Sequence, residues 1–533
     1  MGIYLNPGNE GFKRALRSKI YVDKTGLLEY TNSILETEQC CICVSRPRRF
    51  GKSITAEMLV SYYDRSCDSR EMFCGLEIGS FPDFEKYLNH YDVIHIDMNT
   101  FRHKRNPATG EEVSALESVG LFHSEIIKEL KEAYGNIVQE NDVDLPGVLT
   151  KIGKTAGTKF IIVIDEWDTI FREDKHDERA QKAYINLLRG LFKDSTSKFF
   201  IALGYLTGIL PIKKYGTESA LNNFDEFTMI HAEPLTEYVG FTENEVKDLY
   251  QEYHMDFDEA QKWYDGYTFS EGIHIYNPKS VVDSIRRKKI TSYWSRTETY
   301  ESLKSYINMN FDGLRDSIVQ MLAGARCKVN TETFENDMTS FSSRDDILTV
   351  LIHLGYLAYD STVEEVYIPN EEIRTAFANA VRKCGWTPVI DAINASEKLL
   401  QCTWDMDEEA VAKGIEQVHM DNTSILQYND ENAMSCVISL AYYHAVSEYT
   451  LLREFPTGKG FADIVFLPRK CSDKPAMIVE LKYDKSAKGA IEQIKEKNYV
   501  SALKEYKGNL LLVGISYSKK DKQHLCKIEE SML

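Results

Sequence analysis

The hydrophobic pattern changes its period several times along the 533 residues of the chain. Short, nearly uninterrupted apolar runs are typical of strands buried on both faces of a parallel sheet, and apolar residues spaced three and four apart are typical of helices. Runs of the first kind lie at 40–44, 93–98, 160–164 and 199–203, and stretches of the second kind at 54–60, 121–133 and 180–193. Because strands and helices alternate, we predict an α/β domain with a parallel sheet.

The pattern from 236 to 390 predicts a mostly helical region. Its first part is acidic and aromatic, and we expect the aromatic residues to pack a small helical lid. Further on, a helix at 347–354, two extended runs and a helix at 370–377 follow the order of a winged-helix module. Such modules can contact DNA, but acidic residues lie in and beside the predicted turn, which favours a packing role.

The last part of the chain begins with acidic helices and then predicts two strands and a helix, at 461–467, 476–483 and 486–499. A single core rarely grows beyond about 250 to 300 residues, so several domains are expected. We place them at 1–235 (the α/β domain with the parallel sheet), 236–390 (the helical lid and winged-helix-like region) and 391–533 (a second α/β domain).

Composition limits the location and the partners of the protein. The sequence has no run of about 18 apolar residues and no signal-peptide pattern, so we expect a cytoplasmic protein without a membrane span. The 11 cysteines follow no metal-binding spacing, which favours reduced thiols. The net charge of −19 argues against nonspecific coating of nucleic acid. The segment 451–533 differs, with 16 Lys and Arg against 11 Asp and Glu.

The first candidate site follows the predicted strand at 40–44. Gly51-Lys52-Ser53 stands between this strand and a predicted helix, which is the order of a phosphate-binding loop. In such loops backbone N–H groups and the lysine contact the phosphates of ATP, and the serine hydroxyl binds Mg²⁺. Arg46 stands where the usual pattern has a first glycine, so the tripeptide alone is weak support.

A partner motif lies at the end of the strand at 160–164. Asp165-Glu166 stands at the carboxyl end of this strand, where open α/β sheets bind ligands. In phosphate-loop proteins the aspartate holds Mg²⁺ and the following residue acts on the attacking water. A helix cap is the alternative, but the two motifs together favour nucleotide binding. Two weaker candidates are Thr207, equally well a turn residue, and Arg189, either an arginine finger or a solvated helix residue.

The second candidate site lies in the last hundred residues. Asp463 stands near the start of one predicted strand, and Glu480 and Lys482 are two apart on the next, so their side chains share a face. Antiparallel pairing can bring the two carboxylates together, which suits Mg²⁺ or Mn²⁺, and the lysine can stabilise charge on a phosphate. Gln493 lies on the following helix, and Glu431 begins an earlier helix that can add a third acid. A surface pair of Glu480 and Lys482 is the alternative.

Motifs across nearly the whole chain resemble those of bacterial AAA-ATPase-like proteins with a C-terminal PD-(D/E)XK nuclease domain. The matching motifs lie at 21–25, 45–53, 165–166, 206–209, 220–224, 265–267, 276–278, 355–357, 368–370, 460–463 and 480–482. The loop Arg46-Pro-Arg-Arg-Phe-Gly-Lys-Ser53 looks like this family's own form of the phosphate loop. The resemblance implies an ATP-binding motor or switch fused to a metal-dependent nuclease. Asp463 follows Ala462 where the family name implies a proline, a departure that leaves the metal ligand in place.

Each candidate site has a predicted set of residues. For ATP and its Mg²⁺ they are Arg46, Arg48, Arg49, Phe50, Gly51, Lys52, Ser53, Ile54, Asp165, Thr207 and Arg189, with Ser53 and Asp165 on the metal and Glu166 as the catalytic residue. For the nuclease they are Asp463, Glu480 and Glu431 on Mg²⁺ or Mn²⁺, with Lys482 and Gln493 completing the catalytic set.

We therefore predict an ATP-regulated, Mg²⁺-dependent DNA nuclease, with phage defence or mobile-element biology as conjectured roles. A homo-oligomer is left open, and with it whether Arg46, Arg48 and Arg49 add charge at the phosphates or at a neighbouring subunit. The second hypothesis is a signalling ATPase whose C-terminal domain binds nucleic acid or protein without cleavage, which the net charge of −19 favours. A third, a transcription regulator that uses the winged-helix-like segment, is disfavoured by the acidic turn.

Overall fold

A computed structural model describes residues 2–105, 110–212, 214–215, 218–219, 221–269, 272–294, 299–309, 311–335, 341–422, 431–456, 461–468, 474–497 and 508–532. The chain divides into two compact units. The first unit holds 1–294 and 328–372, and the second holds 295–327 and 373–533.

The strands of the described residues are β1 (Cys41–Ser45), β2 (Asp92–Asp97), β3 (Phe160–Asp165), β4 (Ile201–Gly208), β5 (Lys214–Tyr215), β6 (Glu218–Ser219), β7 (Asp225–Phe227), β8 (Phe241–Thr242), β9 (Tyr267–Thr268), β10 (His274–Tyr276), β11 (Cys327–Lys328), β12 (Ala358–Asp360), β13 (Glu365–Tyr367), β14 (Tyr449–Pro456), β15 (Phe461–Pro468), β16 (Ala476–Tyr483), β17 (Asn509–Ser518) and β18 (Gln523–Met532).

The α-helices of the described residues are α1 (Glu10–Leu16), α2 (Leu27–Ile34), α3 (Lys52–Tyr63), α4 (Arg70–Phe73), α5 (Phe84–Tyr87), α6 (Met98–Arg102), α7 (Ala115–Ala133), α8 (Leu145–Ala156), α9 (Thr169–Glu173), α10 (Glu178–Phe192), α11 (Glu243–Glu252), α12 (Phe257–Tyr264), α13 (Pro278–Arg287), α14 (Thr299–Ile307), α15 (Leu314–Leu322), α16 (Arg344–His353), α17 (Glu371–Lys383), α18 (Thr387–Trp404), α19 (Glu408–Asn422), α20 (Glu431–Ala441), α21 (Ala445–Glu448) and α22 (Ala487–Glu496).

A five-stranded parallel sheet organises the first unit, in the order β2-β3-β4-β1-β7. Its central strands are buried along their whole length because helices cover both faces. α3 packs on one face, and α7, α8 and α10 share a core with the other, through residues such as Phe122, Ile162 and Leu188. The predicted α/β fold with a parallel sheet is confirmed.

The rest of the first unit is built from small sheets and helices. β8, β10 and β9 form one sheet beside α11, α12 and α13, whose shared core is rich in tyrosine, as the aromatic composition predicts. β12 and β13 form a hairpin between α16 and the start of α17, in the winged-helix order. Asp360 and Glu365 face each other in this hairpin, so acidic residues do lie beside its turn.

The second unit holds a mixed sheet in the order β14-β15-β16-β17-β18, in which β16 and β17 are parallel and the other neighbours antiparallel. α22 lies between β16 and β17 in the chain and packs on both through a core that includes Ile478, Ile491 and Leu512. α19 and α20 also pack on this sheet. In neither unit is any described helix long and apolar enough to cross a membrane.

Two buried histidines make the stability of the second unit depend on pH. His419 of α19 and His524 of β18 have ring centroids 5.1 Å apart, and burial lowers the pKa of each to about 4. The unfolded chain binds these protons near the ordinary pKa of 6.5, whereas the folded chain does not. The free energy of unfolding is therefore highest above pH 6.5. It falls as the pH drops toward 4, by on the order of 2 kcal/mol per histidine.

Urea midpoints between about pH 7.5 and pH 4.5 check this expectation. His524→Phe should flatten the pH dependence, because phenylalanine keeps a ring beside Tyr517 and binds no proton. The exposed His90 offers a control, and His90→Gln should leave the dependence as it is. A wild-type slope in His524→Phe would assign the acid sensitivity to other groups.

Candidate functional site

The loop between β1 and α3 holds an open space at the N-terminus of the helix. Gly51 caps α3 with a φ of 96°, in the left-handed region that favours glycine, and a Cβ there would meet no atom within 4 Å. Arg49, two residues earlier, has a φ of 74°. The first N–H groups of α3 lack helical partners, and the helix dipole is positive at this end. The loop is therefore built to accept an anion.

Lys52 is the first residue of α3, and its side chain is buried over the loop. Its Nζ donates to the Pro47 carbonyl at 3.1 Å and lies 3.9 Å from Glu166 Oε1. Burial lowers the pKa of Lys52, while the charge of Glu166 opposes this shift. Phosphate oxygens can supply the same acceptors as these two partners, so the ammonium group is already positioned for a nucleotide.

Asp165 and Ser53 meet at the carboxyl edge of the sheet. Asp165 ends β3, opposite Thr207 of β4, and β1 ends one strand further along. Burial raises the pKa of the Asp165 carboxyl, and a hydrogen bond with the Ser53 side chain opposes this shift. The structure thus brings together the aspartate and the serine hydroxyl that were predicted to share Mg²⁺, and this oxygen pair suits that hard cation.

Glu166 is held by a positive neighbour that the sequence analysis missed. Arg172 of α9 donates through Nη2 to Glu166 Oε2, and its Nε lies 3.0 Å from Asp168 Oδ2. Asp168 is fully buried and accepts hydrogen bonds from the N–H groups of Ile209 and Leu210, just after β4. Burial raises the pKa of Glu166, which suits a group that takes a proton. The four-residue spacing between Asp168 and Arg172 is the sequence signal from which this arginine could have been predicted.

A cavity of about 660 Å³ opens beside this loop, within the first unit. That volume lies inside the range of roughly 300 to 1,000 Å³ typical of small-molecule sites. The predicted residues that line it are Arg49, Phe50, Gly51, Lys52, Ser53, Ile54 and Glu166. Its other wall, which the sequence analysis missed, comes from 18–24, 238–241 and 278–286, and includes Lys24 and Arg286.

Five predicted nucleotide-binding residues lie outside the lining of this cavity: Asp165, described above, and Thr207, Arg189, Arg48 and Arg46. Thr207 is fully buried and donates its hydroxyl to the Val44 carbonyl, so the hydroxyl holds two strands together. Arg189 is exposed on α10, and Arg48 is exposed on the loop.

Arg46 departs most from its predicted role at the phosphates. Its Nη1 donates to the carbonyls of Ser45, Phe227 and Thr228 at 3.0, 3.1 and 3.0 Å, and the side chain is fully buried. Burial lowers the pKa of Arg46 to about 10. The guanidinium therefore ties the loop to β7 and the residue after it, in place of the expected phosphate contact.

Arg46→Ala should destabilise the first unit by about 2 to 4 kcal/mol, because three buried carbonyls lose a donor and a cavity is left. The urea midpoint measured without nucleotide reports the loss. Arg48→Ala changes the same residue type two positions away, on the surface, and should shift the midpoint by less than about 0.5 kcal/mol. Equal midpoints for the two variants would contradict the packing role of Arg46.

The second site lies on β15, β16 and α22. Asp463 is fixed by the Leu481 N–H, which donates to its Oδ2 at 2.7 Å. Lys482 Nζ donates to Glu480 Oε1 at 2.9 Å and to the Leu481 carbonyl at 3.0 Å. Gln493 of α22 donates through Nε2 to the same Glu480 oxygen. The structure therefore gathers three of these predicted residues, Asp463, Lys482 and Gln493, around the carboxylate of the fourth, Glu480.

Glu480 has the electrostatics of a cation ligand. Its side chain is only 1% exposed, and its Oε2 has no hydrogen-bond partner in the described part of the chain. Burial, followed by the charge of Asp463, raises the pKa of Glu480 to about 7. A buried carboxylate oxygen without a donor is costly, and a divalent cation would satisfy it. The residues present therefore fit a metal ion.

Glu431 begins α20, but its side chain lies outside the described residues. Among the residues that the structure describes, no three His, Cys, Asp or Glu side chains form a group that could hold a metal ion. The described part of this centre thus contributes two carboxylates, Asp463 and Glu480.

Known protein families match the two regions of the chain that contain these sites. Residues 9–217 match the family described as Predicted AAA-ATPase, and residues 429–526 match the PD-(D/E)XK nuclease superfamily. The first matched region is therefore AAA-ATPase-like, and the second resembles the PD-(D/E)XK nuclease superfamily. The resemblance drawn from the chain's motifs is thereby confirmed.

Individual relatives are distant. An "Uncharacterized protein in vnfD 5'region" of Azotobacter chroococcum mcd 1 is 23% identical over 286 residues, which are 52% of this chain and 51% of that protein. The chain thus spans about half the length of this curated relative. The Walker-type ATPase PABY2304 of Pyrococcus abyssi aligns with a TM-score of 0.33 and 14% identity, over 66% of this chain and 94% of that one. The ORC2 protein of Aeropyrum pernix aligns with a TM-score of 0.30 and 10% identity, over 70% and 98%.

Proposed function

We propose that this protein hydrolyses ATP at its first unit and uses a metal-dependent centre in its second unit to cleave DNA under the control of that ATP. The observation that carries the nuclease assignment is the buried Glu480, with one unpartnered oxygen, beside Asp463 and Lys482. A surface ion pair would leave both oxygens of the glutamate in water, and this one is buried. A buried, metal-competent carboxylate next to a lysine suits phosphodiester hydrolysis.

Support for ATP comes from the first unit. The open N-terminus of α3, the buried Lys52 and the cavity of about 660 Å³ suit a triphosphate and its base. Ser53 and Asp165 would hold Mg²⁺, which shields the charge of the phosphates when it is bound. Glu166 orients and deprotonates the attacking water, and Arg172 sets the direction of its carboxylate.

In the second unit, different residues have different roles in the proposed hydrolysis. Asp463 and Glu480 would hold Mg²⁺ or Mn²⁺, which stabilises charge on the phosphate and makes water a better nucleophile. Lys482 places a positive charge where negative charge develops on the phosphate. Gln493 orients the Glu480 carboxylate, and the Leu481 N–H orients Asp463.

The test is a cleavage panel with the purified full-length chain. Single-stranded DNA, duplex DNA and RNA are each incubated with Mg²⁺ or Mn²⁺, and with no nucleotide, ATP or a non-hydrolysable ATP analogue. We expect cleavage of DNA that requires metal and changes with the nucleotide. ATP hydrolysis without cleavage of any substrate would favour the alternative, a signalling ATPase whose C-terminal region binds without cutting.

A further inference from the structure

One edge of the second unit's sheet carries a cluster of exposed lysines. Two turns meet at this edge: 484–486, after β16, and 519–522, after β17. The Asp484 N–H donates to the Tyr517 carbonyl at 2.8 Å, and the Lys519 N–H donates to Asp484 Oδ1 at 2.7 Å, so the turns are fixed together. The exposed lysines on these turns and on the first turn of α22, called here the lysine edge, are Lys485, Lys488, Lys519, Lys520 and Lys522.

The five lysines of the lysine edge outnumber its two acids, Asp484 and Asp521, so the edge carries an excess of positive charge. Within the described residues none of its lysines forms an ion pair, and its two acids are otherwise engaged: Asp484 accepts from a backbone N–H, and Asp521 accepts from the Ser518 hydroxyl at 2.9 Å. Other exposed lysines of the same unit do pair with acids, as in Lys413–Glu409, Lys495–Glu529 and Lys527–Glu408. A chain with a net charge of −19 thus keeps unpaired positive charge at one place, where like charges repel.

The lysine edge adjoins the candidate metal centre. Lys482 comes three residues before Lys485, so their Cα atoms are at most about 11 Å apart. Lys482 is also paired with Ser516, three residues before the second turn. A nucleic-acid strand carries one phosphate per about 3.4 Å of axis, so about three phosphates fit this span.

We propose that the lysine edge binds the phosphate backbone of the nucleic-acid strand that is cleaved at Glu480 and Lys482. The proposal rests on the nuclease function proposed above and names where its substrate lies. Lysine is a point charge that contacts phosphates without reading bases, so binding here is independent of sequence and weakens with salt. An acidic protein surface would be attracted by the same charge, and the experiment separates the two partners.

The experiment measures binding by the full-length chain in EDTA, where cleavage does not interfere. Fluorescence anisotropy with labelled duplex and single-stranded DNA is recorded from about 50 to 200 mM salt. The test variant combines Lys519→Gln, Lys520→Gln and Lys522→Gln. The control variant combines Lys398→Gln, Lys413→Gln and Lys495→Gln, exposed positions of the same unit with the same change in charge. Polyglutamate serves as a competitor.

We expect the test variant to bind DNA at least about tenfold more weakly, with its log-affinity against log-salt slope reduced by about 2 to 3, since each lost phosphate contact removes about 0.9. The control variant should keep the affinity and slope of the wild type. An unchanged slope in the test variant, or displacement of DNA by equimolar polyglutamate, would overturn the proposal. Normal binding without any cleavage in Mg²⁺ would instead refute the nuclease function and leave the lysine edge standing.

Discussion

Lys482→Ala should slow metal-dependent DNA cleavage on the order of 1,000-fold, with little change in DNA binding. The Lys482 ammonium group is buried 2.9 Å from Glu480 Oε1, so it places a positive charge in direct contact with a carboxylate that would bind the metal. Charge that develops on the phosphate during cleavage would lose this partner in a site from which water is largely excluded. The initial rate on labelled DNA in Mg²⁺ measures the effect.

Two controls separate a chemical role of Lys482 from a structural one. Lys495→Ala removes a lysine from α22 that pairs with Glu529 on the surface, and it should cut at the wild-type rate. The urea midpoint of Lys482→Ala and its DNA affinity in EDTA show whether the variant is folded. A folded variant that binds DNA and cleaves it at the wild-type rate would exclude Lys482 from the chemistry.

The sheet of the first unit could be predicted because most of its strands are marked by continuous apolar runs in the sequence. β3 is apolar from Phe160 to Ile164, and such a run fits a strand covered on both sides. β7 could not be predicted, because it has three residues, two of them acidic, and its place beside β1 is set by pairing across the sheet. In the second unit only β15 and β16 were predicted. β18 is an edge strand rich in polar residues, so it lacks a comparable apolar run.

In the candidate sites, too, some residues could be predicted from local sequence and others could not. Lys52, Asp165 and Glu480 sit at loop and strand positions whose spacing is visible in the chain, and the structure brings each beside its expected neighbours. The buried orientation of the Arg46 side chain could not be predicted, because the carbonyls of 227 and 228 to which it donates are about 180 positions away in the chain. The far wall of the cavity was missed for the same reason, since three separate segments form it.

Glu166→Gln should leave ATP binding within about threefold of the wild type while lowering the turnover number by on the order of 100-fold or more. Glutamine keeps the length of the side chain and an oxygen that can accept from Arg172, but it cannot take a proton from water. Lys52→Ala should do the opposite and weaken ATP binding by roughly 100-fold, because the phosphates lose their buried cation.

Calorimetric titration with ATP and a phosphate-release assay read the two effects separately. Glu173→Gln makes the same chemical change at the end of α9, on a carboxylate whose partner is His103, and should alter neither quantity. Wild-type turnover in Glu166→Gln would remove this residue as the base and direct attention to Asp165, which lies beside Ser53 at the same edge of the sheet. Lost binding in Glu166→Gln would mean that its pairing with Lys52 and Arg172 shapes the loop itself, so that binding and hydrolysis could not be separated at this position.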